Sequence, residues 1–171
     1  MHPRPALDVE FVRSLYPDAA WQWAFFENAG GSYVPQSVID RLSAYMRETQ
    51  VQPAASFQPS ALAAERMATG QLQMAELVNA APDEVVIGPS TTANVYVLAQ
   101  ALRPLFDAGD EIIVTNLDHE ANSGAWRRMA ETGITVKEWR IDADTAELVP
   151  EALDGLLSDR TRLVCFPHCS N

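Results

Sequence analysis

The sequence predicts an α/β fold, three layers αβα around a mainly parallel sheet. Three observations carry this. From Glu84 onward, short apolar runs alternate with helical patterns, the rhythm of strand–helix–strand units joined by right-handed crossovers. Polar clusters stand where three of those runs end, at Gly88-Pro89-Ser90-Thr91-Thr92, Asp118-His119-Glu120-Ala121-Asn122 and His168-Cys169-Ser170-Asn171. The carboxyl ends of strands are where open α/β sheets bind ligands. The composition, 47% hydrophobic and 20% charged over 171 residues, supplies a substantial core.

Taken in order, the chain begins proline-rich and continues as an amphipathic piece from Asp8 to Leu15, with Phe11, Val12 and Leu15 on its apolar side. Trp21 to Phe26 reads as a short strand, and Asn28-Ala29-Gly30-Gly31-Ser32 as a turn whose glycines let a backbone approach a ligand. Pro35 opens a helix to Glu48, with Val38, Ile39, Leu42, Tyr45 and Met46 at helical spacing. Gln52 to Ser60, holding Pro53 and Pro59, is a loop, and Ser60 to Val78 a long helix.

Glu84 to Ile87 is a strand. Thr92 to Phe106 is an apolar helix stopped by Asp107-Ala108-Gly109-Asp110. The strand Glu111 to Thr115 follows, then a helix from Ala121 to Glu131 ended by Gly133, and a strand from Ile134 to Trp139. After a turn at Asp142-Ala143-Asp144 come a helix, Pro150 to Leu157, and a strand, Arg162 to Phe166. Residues 1–25 form an arm and 26–171 the αβα domain. Its last strand runs into polar residues where a covering helix would normally follow, so the domain is expected to be incomplete at its C-terminal end.

The net charge of −11 argues against nucleic acid as a partner, since phosphate contacts need Lys and Arg. No basic segment precedes an apolar stretch in the manner of a signal peptide, and no apolar run reaches the ~20 residues of a membrane span. Two cysteines, Cys165 and Cys169, are too few for a disulfide scaffold. A reduced, cytoplasmic protein is the expectation. The chain holds eleven Arg but one Lys, Lys137, so any chemistry needing a lysine amine must use Lys137 or a lysine elsewhere.

Each cluster has a plain reading beside a chemical one. Ser90-Thr91-Thr92 opens a helix whose first N–H groups lack internal partners, a natural phosphate cradle, yet Ser and Thr are also the preferred caps. That cluster alone favours capping. No GxGxxG or P-loop is present, which disfavours dinucleotides and nucleoside triphosphates. His119 can face a planar ring or simply bond to backbone; Asp118 and Glu120 can fix its tautomer or stay solvated, and Asn122 is placed to cap the next helix. Cys165, His168 and Cys169, with His119 as a distant fourth, invite a zinc reading. Cys165 sits in an apolar strand and fits the core better, so no metal site is assigned. Arg127 and Arg128 read as the solvated face of a helix.

Together these residues resemble the class V aminotransferase family of pyridoxal phosphate (PLP) enzymes, in particular its cysteine desulfurase-like branch. The resemblance rests on Phe25-Phe26-Glu27-Asn28-Ala29-Gly30-Gly31, Gly88-Pro89-Ser90-Thr91-Thr92-Ala93-Asn94, Gly109-Asp110-Glu111-Ile112-Ile113-Val114, Leu117-Asp118-His119-Glu120-Ala121-Asn122 and His168-Cys169-Ser170-Asn171, in the family's order. It implies the N-terminal part of the PLP-binding large domain of a fold-type-I enzyme. It implies that Ser90, Thr91 and Thr92 hold the cofactor phosphate, that His119 stacks on the ring, and that Asn171 bonds the ring's phenolic oxygen. Asn28, Ala29, Gly30 and Gly31 would lie beside an amino-acid substrate, and the full-length enzyme would be a homodimer. The family's Schiff-base lysine and its ring-nitrogen aspartate would fall beyond Asn171. Lys137 lies in a predicted strand, outside every matching motif. Two alternatives stand beside this reading: a non-catalytic fragment with weak PLP or phosphate affinity, and a Cys/His metal module.

Overall fold

A computed structural model describes residues 6–28 and 30–170. The chain divides into two compact units, Met1–Val86 and Ile87–Asn171.

In the first unit, helix α1 (Val9–Ser14) starts where the Asp8 carboxylate accepts from the Phe11 N–H at 2.9 Å. The expected strand from Trp21 to Phe26 does not form. Asp18–Trp21 is a 3₁₀ turn, and an irregular segment follows. Aromatic residues favour strands because they pack across a pleated sheet. Here they find partners locally: the Trp21 indole donates to Arg13 O at 3.2 Å and meets Tyr16 edge-on, and Phe25 meets Tyr33 edge-on.

Helices α2 (Gln36–Glu48) and α3 (Gln58–Val78) follow. The Arg66 guanidinium joins them, pairing with Glu48 at 2.9 Å and donating to the buried Thr49 hydroxyl at 3.2 Å. α3 begins two residues before the expected Ser60, because Pro59 falls in the first turn, where its missing N–H is no loss. The expected strand Glu84–Ile87 is also absent. Pro82–Glu84 forms a 3₁₀ turn closed by the Glu84 carboxylate on Ala81 N–H (2.8 Å), and the Gln71 amide takes the carbonyls of Pro82 and Val85. The backbone acceptor that a ladder would use is spent on a side chain, and Val86 remains 84% exposed.

The second unit carries the expected αβα order. Helix α4 (Thr91–Leu102) passes through a 3₁₀ turn, Arg103–Leu105, into strand β1 (Glu111–Thr115). Helix α5 (Glu120–Arg127) and a second 3₁₀ turn, Arg128–Thr132, lead to β2 (Thr135–Trp139). Helix α6 (Pro150–Asp154) precedes β3 (Thr161–Val164). The sheet has the order β2-β1-β3, and both pairings are parallel.

Both faces of central β1 are covered, which is why it reads as an unbroken apolar run. Ile112 and Val114 pack with Ala99, Ala125, Trp126 and Met129 of α4, α5 and the turn after α5, and with Val136 and Leu163 of the flanking strands. On the other face the Lys137 ammonium donates to Leu156 O and the Trp139 indole to Val149 O, which fastens the α6 segment there. Trp139 also meets Phe166 edge-on at 5.9 Å. At the amino edge, two turns require a left-handed backbone. Gly109 (φ 86°) and Gly133 (φ 88°) supply it, and Gly109 N donates to Gly133 O at 2.9 Å.

Glu111 opens β1 as an ionic anchor. It accepts from the Lys137 ammonium at 2.7 Å and from the hydroxyls of Ser158 (2.6 Å) and Thr161 (3.2 Å). These donors, Lys137 foremost, hold its carboxyl below the usual value of 4.5. A carboxyl lowered in the folded state stabilises above its unfolded value and loses that contribution as pH falls towards the folded one. The melting temperature should therefore drop as pH falls below about 4.5. Glu111→Gln should flatten that part of the pH profile and leave the neutral region lower than wild type.

Candidate functional site

The strand order decides where a ligand would sit. β1 connects through α5 to β2 on one side, and β2 connects through α6 to β3 on the other side of β1. The crossovers reverse between β1 and β3, which makes the carboxyl ends of these two strands a topological switch point, the place where open α/β sheets form a ligand crevice. The Leu117–Asn122 and His168–Ser170 segments emerge there. The Ser170 hydroxyl donates to Leu117 O at 2.8 Å, so the two clusters meet.

The third cluster is brought to the same edge by α4. Helices α4 and α5 pack together, and at the ends that face the amino edge the Arg103 guanidinium donates to Thr132 O. Twelve and eight helical residues back from there, both amino termini point to the carboxyl edge. Ser90 caps α4, its hydroxyl accepting from Ala93 N–H at 3.2 Å. Capping thus uses the Ser90 lone pairs and the Ala93 donor. The N–H groups of Thr91 and Thr92 fall in the turn that has no internal acceptors, and both residues are exposed. Gly88, just ahead, lies against the Asn94 side-chain amide of the second turn, and a methyl group at position 88 would meet it.

The second cap differs from the expected one. His119, and not Asn122, is the N-cap of α5: its Nδ1 accepts from Ala121 N–H at 3.0 Å. That bond fixes the neutral ring with its proton on Nε2, so a backbone amide sets the tautomer in place of Asp118 or Glu120. Asp118 serves the loop instead. One of its carboxylate oxygens accepts from His119 N–H and from the Asn122 amide, both at 2.8 Å. The imidazole, held at one nitrogen, is left exposed at the edge of the sheet.

The lone lysine lies elsewhere. The Lys137 ammonium is bound to Glu111, at the amino edge of the sheet, and to Leu156 O. It is therefore a structural ion-pair partner at the opposite end of β1 from His119. Asn28 and Gly30 lie in the first unit, where Gly30 N donates to Glu27 O at 3.2 Å. Ala29 and Asn171 lie outside the described residues.

Among the described residues, no group of three or more His, Cys, Asp or Glu side chains stands together as a metal ion would need, those of Cys165, His119, His168 and Cys169 included. Cys165 packs against the apolar core, and burial, with the Asp118 charge second, pushes its thiol up to about 11. It should stay protonated and inert near neutral pH. Cys169 is exposed. With iodoacetamide at pH 8, mass mapping should find Cys169 alkylated first and Cys165 spared until the chain unfolds.

Comparison with known proteins gives this geometry a family. The aminotransferase class-V profile matches residues 24–171. The chain belongs to the class V aminotransferase family. Curated relatives include an aminotransferase-like protein, FGM3, of Gibberella zeae, 39% identical over 97% of this chain and 42% of its own length. A cysteine desulfurase-like protein, ustD, of Aspergillus flavus is 35% identical over 96% of this chain and 39% of its own. Among solved structures, the apo cysteine desulfurase of Thermococcus onnurineus NA1 superposes with a TM-score of 0.83 at 22% identity, over 95% of this chain and 40% of that one. A C-DES variant with glycine covalently linked to its PLP cofactor gives 0.75, also at 22% identity, over 89% and 39%. The chain spans about two fifths of the length of these class V relatives, their N-terminal portion, and so part of a fold-type-I domain.

Sequence reasoning missed several residues that build this edge. Arg127 is half-buried, not a solvated helix face: it pairs with Glu138 at 2.8 Å and donates to Thr115 O at 3.2 Å. A signal was available, because Glu138 alternates with Val136 on the apolar side of β2, where a charge needs a partner. Arg128 is exposed as expected, and the Tyr96 phenol and then the Glu131 charge hold its guanidinium above the usual value. Asn116, which accepts from Ile141 N–H at 2.9 Å, carried no sequence signal.

Proposed function

We propose that this chain is the cofactor-phosphate-binding part of a PLP-dependent enzyme that removes sulfur from cysteine. The observation that carries the reading is that two capped helix amino termini, at Ser90 and His119, face the carboxyl edge of a sheet whose crossovers reverse between β1 and β3. Membership in the class V family supports it.

The residues fit the group. A phosphate dianion suits the amino terminus of α4, where the N–H groups and hydroxyls of Thr91 and Thr92 and the hydroxyl of Ser90 would bind it. The flat, exposed His119 ring would stack on the pyridine, with its tautomer already set by Ala121. Asn171 would donate to the ring's phenolic oxygen, and Asn28, Ala29, Gly30 and Gly31 would line the substrate side. When bound, PLP supplies an electron sink for the bond cleaved at the amino acid. This chain's own part is to bind and orient the cofactor. The Schiff-base lysine is not in this chain: Lys137 is committed to Glu111, so the isolated chain is inactive in this reading. Residues 26–171 then belong to the large domain of a cytoplasmic homodimer, with 1–25 as an arm.

The experiment is to supply PLP and L-cysteine, with a thiol acceptor, to the complete protein that carries this chain and to the chain alone. The complete protein should bind the cofactor, change its visible absorbance on adding cysteine, and release alanine. The chain alone should form no alanine. A complete protein that binds PLP but turns over a different amino acid would overturn the desulfurase assignment; one that takes up no PLP would overturn the whole reading.

A further inference from the structure

The loop after β1 is pinned from three directions. The Thr115 hydroxyl accepts from Leu117 N–H at 3.0 Å, the Asn116 amide oxygen accepts from Ile141 N–H beyond β2, and the Ser170 hydroxyl donates to Leu117 O from beyond β3. Strand-end loops are ordinarily the mobile, function-bearing part of an α/β unit. A precise site needs such loops locked by supporting hydrogen bonds. The Ser170 contact differs from the other two in what it joins. It crosses the β1/β3 boundary, where the crossovers reverse, and it ends two residues before His119. Among the described residues it is the one side-chain hydrogen bond between these two loops.

We propose that Ser170 is a positioning residue: by holding the Leu117 carbonyl, its hydroxyl sets the spacing between the His119 loop and the segment after β3, and so the width of the cofactor crevice. This rests on the PLP reading above. The remaining supports of the loop, Asp118 on His119 N–H and Asn122, and Arg127 on Thr115 O, fix its own shape and its tie to α5, but not its distance from β3. Removing the Ser170 hydroxyl therefore frees one dimension of the site while the helix caps stay intact. It also leaves the Leu117 carbonyl without that partner.

The test compares wild type with Ser170→Ala and Ser170→Thr in the complete protein. Two quantities are read: amide hydrogen exchange over residues 116–122 without cofactor, and the PLP dissociation constant. Ser170→Ala should exchange faster in that segment and bind PLP about 3- to 10-fold more weakly, the loss expected of one hydrogen bond. Ser170→Thr, which keeps the hydroxyl, should restore both. Unchanged exchange and PLP affinity in Ser170→Ala would overturn the proposal while leaving the PLP reading intact. A lower melting temperature with unchanged affinity would reduce Ser170 to a structural role and overturn it equally. Faster exchange in a protein that binds no PLP, wild type included, would instead overturn the cofactor reading and the crevice with it.

Discussion

Replacing Trp126 with alanine should cost about 3–5 kcal/mol, the largest loss of stability expected of any single change in the Ile87–Asn171 unit. Trp126 is 5% exposed and sits on α5 among Ala99, Phe106, Ile112, Val114 and Met129. It fills the space between α4, α5 and the sheet, and no neighbouring side chain on a short helix can collapse into that volume. Whole domains are stable by about 5–15 kcal/mol, so the loss takes a large share of the total. The consequence reaches the site, because the packing that Trp126 completes holds α5 beside α4 and so directs both amino termini to one edge. Chemical denaturation followed by circular dichroism measures it. A loss below about 1 kcal/mol would show that α5 does not depend on this contact and would undercut the alignment of the two caps.

His119→Ala should have the largest effect on function. The fold should tolerate it, since the side chain is exposed and its one polar bond is a cap on Ala121. Losing a capping acceptor costs about 0.5–2 kcal/mol. For the cofactor the change is larger. Ring stacking contributes about 0.5–1.5 kcal/mol, and a ring free to tilt misplaces the reacting atoms, which can lower kcat/KM on the order of 100-fold. His119→Asn keeps a capping side chain without an aromatic face. It should restore stability and leave turnover low. Rates equal to wild type in both variants, with the same cofactor spectrum, would remove His119 from the site.

The second unit was legible because its signals are periodic and redundant. Glu111–Thr115 is buried on both faces, so its apolar run has no other reading, and Gly109 and Gly133 mark turns that need a left-handed backbone. The strands misplaced at Trp21–Phe26 and Glu84–Ile87 share one cause. Both have strand-like composition, but a strand exists by pairing: the aromatic side chains of the first find local partners, and the backbone of the second is engaged by a 3₁₀ turn and the Gln71 amide. Composition does not disclose that competition. The helix boundaries shifted for a similar reason: Pro104 and the turn at Arg128 convert the last residues of α4 and α5 into 3₁₀ turns.

At the site, residue types were readable and their roles less so. His119 follows a strand end and Ser90 and the two threonines open a helix, positions where ligands commonly bind, yet whether His119 or Asn122 caps α5 depends on which side chain reaches the free N–H groups. Both types can cap, and Asn122 is drawn instead to Asp118. The supports of the loop, Arg127, Asn116 and Ser170, are separated in sequence from what they touch. Ser170 and Leu117 lie 53 residues apart. Only the strand order, which the sequence does not state, brings them together.

Thr91→Glu separates a helix cap from a phosphate site, because the two readings predict opposite signs. A carboxylate in the first turn of α4 favours the helix dipole and should hold or raise stability by about 0.3–1 kcal/mol. In the proposed site the same charge would face the phosphate of PLP and should weaken its binding at least about tenfold. The PLP dissociation constant of the Thr91→Glu protein, measured beside its melting temperature, is therefore the direct test. Retained stability with lost cofactor affinity is the predicted result. Retained stability with wild-type affinity would mean that Ser90, Thr91 and Thr92 only cap the helix, and that the switch-point crevice does not hold the cofactor by its phosphate.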